Sequence, residues 1–103
     1  MHVDDIQMSY IQLKKTKYEV SADITIKDQD GDPMDGATVS VQWTLPNGRP
    51  VDQQQVTGAT GVASFSISSK AGTYKICVTD VAKNCWIYDP SQNVKTCETL
   101  TVP

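Results

Sequence analysis

Apolar and polar side chains alternate with a period of two along most of this chain. The longest run covers residues 18–26. Tyr18, Val20, Ala22, Ile24 and Ile26 fall on one side, and Glu19, Ser21, Asp23 and Thr25 on the other. That spacing describes a strand with one buried face and one wet face. A second run, over 37–45, carries Val39, Val41 and Trp43 in its apolar row. A third sets Ala63, Phe65 and Ile67 against Ser64, Ser66 and Ser68, and a fourth sets Tyr74, Ile76 and Val78 against Lys75, Cys77 and Thr79. The stretch 51–57, with its three consecutive glutamines, reads as a short edge strand, where polar side chains discourage stray pairing. Leu100 and Val102 point inward from a last strand over 96–102, and residues 3–10 form the first. Asp, Gly, Pro and Asn punctuate the gaps, at residues 28–33, 46–50, 58–61 and 70–72. About seven short strands with turns every 8–12 residues predict an all-β fold, an immunoglobulin-like two-sheet sandwich of antiparallel strands.

Composition supports the same reading. Asp outnumbers Glu ten to two, and Asp favours turns where Glu favours helices. Val and Thr each occur eleven times, and Leu only at 13, 45 and 100. No window of helical length has apolar residues at i, i+3, i+4 and i+7. The 103 residues suffice for one core, so a single domain over 1–103 is expected. With a net charge of −3 there is no general electrostatic footprint for nucleic acid, and no apolar run is long enough to insert in a membrane. The start, His2-Val3-Asp4-Asp5, is neither basic nor apolar and does not read as a signal peptide.

The turns suggest a family. The run from Asp30 to Val39, containing Gly31, Pro33, Gly36 and Ala37 and leading into a strand that carries Trp43, resembles the corresponding turn of bacterial Ig-like and fibronectin-III-like modules. The Thr57-to-Phe65 hairpin, with Gly61 and Ala63, is similar to theirs, as is the strand opening Gly72-Thr73-Tyr74. The loop around Tyr88-Asp89-Pro90 and the final strand resemble the end of modules appended to secreted peptidases and other extracellular hydrolases. This resemblance implies a noncatalytic accessory domain, extracellular or at a cell surface, cut from a larger secreted protein. Its partners would be neighbouring domains, another protein or a polysaccharide. The strand over 18–26 lacks the cysteine of the antibody-type core disulfide, so Trp43 is expected to pack on aliphatic side chains.

Four sets of residues are candidates for chemistry. The three cysteines allow one intrachain bridge, and Cys85–Cys97 is the favoured pairing because the two flank the long loop over 82–95. Cys77–Cys97 across the last two strands is the rival, and three free thiols the remaining alternative. Asp28, Asp30, Asp32 and Asp35 lie within eight residues, and clustered carboxylates can hold Ca²⁺. Their spacing starts like an EF-hand loop but then departs, with Val39 at the twelfth position. The competing reading, placed first, is a turn in which Asp caps backbone donors, leaving the chain without a cofactor. Trp86 and Tyr88 form the recognition candidate, an aromatic platform for a sugar or a protein, against an alternative in which they simply cover one end of the sandwich. Tyr74 is expected to bond backbone through its hydroxyl, and Lys14, Lys15 and Lys17 to sit at a solvated turn. His2 is the only histidine, and no nucleophile, zinc or phosphate-loop motif is present, so an enzyme is not expected.

Overall fold

The computed structural model describes residues 1–84 and 86–103. It contains seven strands: β1 (His2–Lys14), β2 (Lys17–Lys27), β3 (Thr38–Thr44), β4 (Pro50–Val56), β5 (Val62–Ser69), β6 (Gly72–Ala82) and β7 (Cys97–Val102). All pairings are antiparallel. One sheet has the order β1-β2-β5 and the other β4-β3-β6-β7, so the chain crosses between layers after β2, β4 and β5. The expected two-sheet sandwich is therefore present, and β4 lies on an edge.

The alternating rows meet in the middle. Val20, Ala22, Ile24 and Ile26 from β2 face Val39, Val41 and Trp43 from β3, together with Tyr74 and Ile76 from β6. Trp43 has no exposed surface and belongs to a core made mainly of aliphatic side chains, with Phe65 and Tyr74. Its indole N–H still needs an acceptor, since a buried donor without one costs about 1–3 kcal/mol. Gln53 Oε1 accepts it at 2.9 Å, and the Gln53 amide donates onward to the Ser66 carbonyl at 3.0 Å. A glutamine of β4 thus stitches the edges of the two sheets together. The hydroxyl of Tyr74 donates to the Lys70 carbonyl at 2.6 Å, the expected tyrosine–backbone bond.

Turns and loops gather at two ends. One end holds the β1–β2, β3–β4 and β5–β6 turns, and β7 finishes there, with Val102 opposite Gly72. The other end holds Met1 and the β2–β3, β4–β5 and β6–β7 connections. The longest dimension is 45 Å, the others 23 and 19 Å. Gly61 is needed at the second end. Its φ is +76°, and a Cβ there would lie 2.7 Å from the Ile26 carbonyl oxygen and 2.9 Å from the Met34 nitrogen.

Two features differ from the sequence reading. β1 runs to Lys14 instead of ending near residue 10, because it stays paired with β2 as far as Lys14 opposite Lys17; the lysines sit on this hairpin tip. The bridge joins Cys77 to Cys97. This replaces the favoured Cys85–Cys97 pairing, and Cys85 itself lies outside the described residues. Strand register decides the matter: Cys77 and Cys97 are directly opposite on β6 and β7, with Cα atoms 4.1 Å apart.

Candidate functional site

The segment between β6 and β7 is closed at its base by the disulfide and held along its length by hydrogen bonds. Trp86 N donates to the Lys83 carbonyl at 3.1 Å. Asp89 caps a short 3₁₀ turn, Pro90–Gln92, by accepting from Ser91 N at 3.1 Å and Ser91 Oγ at 2.6 Å. Pro90 suits the first position of such a turn, where its missing N–H is no loss.

Asn93 ties the segment to the rest of the fold. Its Oδ1 accepts from Val3 N at 2.7 Å, and its Nδ2 donates to the Tyr88 hydroxyl at 2.7 Å and to Thr96 Oγ1 at 3.1 Å. Backbone bonds from Val94 N to Val3 O and from Asp89 N to Met1 O fasten the same loop to the start of β1. A single asparagine thereby uses both ends of its amide to fix an aromatic side chain against a strand.

The result is a cleft of about 610 Å³ at the end of the sandwich. Trp86 and Tyr88 both line it, alongside Asp80, Lys83 and Asn84. The two aromatic residues differ in role. Tyr88 is half-buried against the core and its hydroxyl is engaged, so it forms the wall. Trp86 is 45% exposed and supplies an open ring. Beside it Ile87 is almost fully exposed. Lys83 is drawn to the Asp35 carbonyl, which fixes its ammonium at the rim. An apolar ring flanked by one carboxylate, one amide and one ammonium can stack a sugar face while bonding its hydroxyls, or seat a side chain of a protein.

The acidic turn sits at the same end. Asp28 Oδ1 accepts from Asp30 N at 2.9 Å and Asp32 N at 3.0 Å, while Asp28 N donates to the Asp32 carbonyl at 2.9 Å. One oxygen of this carboxylate is thus engaged by the backbone of its own turn. Asp30, Asp32 and Asp35 are exposed on the same loop. Among the described residues no group of three or more His, Cys, Asp or Glu side chains is placed to hold a metal ion. Among the described residues no helix is long and apolar enough to cross a membrane.

Sequence reasoning missed Asn93 and Gln53. Both are polar residues in segments read as a loop and a plain edge, and the partners that give them a role lie 90 and 13 residues away. Thr57 is a third case: its buried hydroxyl donates to the Met34 carbonyl at 2.6 Å and accepts from Ala37 N at 2.9 Å, closing the β2–β3 connection. Comparison with protein-family models, curated proteins and solved structures found no match.

Proposed function

We propose that this chain is a noncatalytic extracellular module that spaces or docks neighbouring domains of a secreted or cell-surface protein. The observation that carries this reading is the course of the chain. It enters at one end of a 45 Å sandwich and leaves at the other, so flanking domains would be held apart by a rigid body. The Cys77–Cys97 bridge supports an oxidising compartment, since such bridges persist where thiols are not kept reduced. The bridge lies within one sheet and β4 joins the sheet of β3, whereas antibody constant domains bridge their two sheets and place the fourth strand beside the fifth, in the sheet of the first and second. Both features favour the bacterial Ig-like or fibronectin-III-like side of the resemblance. The reading is tested by the distance between spin labels at Lys15 and Asp30, at opposite ends. One narrow distribution is expected, and a broad or multimodal one refutes a rigid spacer.

A second reading, a carbohydrate-binding accessory domain, is favoured by the Trp86 cleft. Titration with soluble polysaccharides while following tryptophan emission tests it. A saturable shift that disappears in Trp86→Ala supports it, and no shift with any polysaccharide removes it.

A further inference from the structure

β1 lies at the edge of its sheet, and its outer side is treated unequally along its length. Near its start the loop before β7 occupies that side, through the bonds to Met1 and Val3. Residues 5–13 have no backbone partner there among the described residues. From Ile6 to Leu13 this free edge carries no charge, no proline and no glycine. Tyr10, Ile11 and Leu13 are 40, 59 and 44% exposed.

The other edges are guarded. β4 carries Pro50 and Asp52 and is covered in part by the Gln53 bridge to β5, which protects that strand as well. β7 has only six residues, including Glu98. An edge left long, uncharged and apolar is a template for another strand.

We propose that β1 is a dimerisation edge, extended by the β1 of a second copy of this chain across a two-fold axis. The two three-stranded sheets would become one six-stranded sheet. A two-fold axis normal to the sheet makes the strands antiparallel and keeps their faces aligned. The register that pairs every residue of 5–13 places Ser9 opposite Ser9. Met8 then faces Tyr10, Gln7 faces Ile11 and Ile6 faces Gln12, each pair on one face. The charges at the two ends of β1 are also complementary: the acidic end of each copy, Asp4 and Asp5, comes toward the basic end of the other, Lys14 and Lys15. Asp4 and Asp5 already pair with Lys27 and Lys95 within the chain, at 3.2 and 3.8 Å. The added pairs therefore set direction and register more than strength. This inference stands apart from the spacer reading, which a monomer would satisfy equally.

Sedimentation velocity on the full chain, from about 10 μM to about 1 mM, tests it across the range of weak homodimers. A concentration-dependent dimer is expected, weakened about tenfold or more by Ser9→Lys, which sets two ammonium groups against each other on the axis. The melting temperature of Ser9→Lys at low concentration should equal that of the parent. Cysteine cross-linking reads the register, since facing Cα atoms of an antiparallel pair are about 4.5–5.5 Å apart, within disulfide reach. In a Cys85→Ser background, Ser9→Cys should oxidise to a dimer alone. Gln7→Cys and Ile11→Cys should cross-link only when mixed. A chain that stays monomeric throughout, or a dimer indifferent to Ser9→Lys that does not cross-link through Ser9→Cys, overturns the proposal.

Discussion

Removing the bridge between β6 and β7 should be costly and should identify its own partners. The two half-cystines are separated by 20 residues. Closing a loop of that size restricts the unfolded chain by about 3 kcal/mol in the loop-entropy account. With an unfolding entropy near 2.1 cal/mol/K per residue, the 103-residue chain should then melt about 15 °C lower when the bridge is absent. The perturbation is the double variant Cys77→Ser/Cys97→Ser, which leaves no half-cystine behind, compared with the parent in urea and by calorimetry. The urea slope should rise modestly, because an unbridged denatured chain exposes more surface. Cys85→Ser is the control and should leave stability within about 0.5 kcal/mol. A double variant less than about 1 kcal/mol weaker than the parent would show that the bridge does not restrict the denatured chain as argued. If Cys85→Ser removed the stability instead, the pairing itself would be wrong.

Other expectations follow from single contacts. Gln53→Ala should cost about 1–3 kcal/mol in urea melts, because the buried indole N–H of Trp43 loses its acceptor; Gln55→Ala, at an exposed position of the same strand, should change little, and equal effects would refute the cross-sheet stitch. Gly61→Ala forces a Cβ against the Ile26 carbonyl at positive φ and should cost more than about 2 kcal/mol, while Gly31→Ala, at φ +82° in open space, should cost about 1 kcal/mol; a reversed order in thermal melts would contradict the packing. The Glu98 carboxyl is held below its ordinary value near 4.5, chiefly by the hydrogen bond from Lys95 and then by the Thr99 N–H. A depressed folded-state value stabilises above the unfolded pKa and is lost as pH falls through the folded one, so Glu98→Gln should flatten the acid limb of stability at low salt; limbs that superimpose would exclude it. The exposed pair should lose this effect in about 1 M salt. Because the Asp28 carboxylate already serves its own turn, the melting midpoint should be the same with calcium and with a chelator, and a rise with calcium would restore the ion-binding reading.

The fold was legible because each inward row obeys a local rule. Tyr18 to Ile26 alternate over nine residues whatever else the chain does, and a row of that kind has one burial solution. The place of Trp43 followed from the same parity. What stayed hidden depends on which strands become neighbours. Cys77 was assigned to an outward face, but its partner is fixed by the β6–β7 register, which loop length does not reveal. Asn93 and Gln53 look like ordinary loop and edge residues until β1 and β5 arrive beside them. At the candidate site the aromatic pair was visible in sequence, whereas the division of labour between an anchored Tyr88 and an open Trp86 was not.

The course of the chain has a mechanical consequence. A force applied through residue 1 and the far terminus draws β1 lengthwise past β2. The pairing there runs through eleven facing positions, from His2 opposite Lys27 to Lys14 opposite Lys17. Antiparallel hydrogen bonds lie across such a pull, so they share the load in shear and do not unzip one by one. Once they yield, the segment enclosed by Cys77 and Cys97 still cannot pay out, which shortens the stretched contour by roughly 65 Å. In an oxidising setting the domain would behave as a stiff, short-travel link, and adding reductant would lengthen its reach.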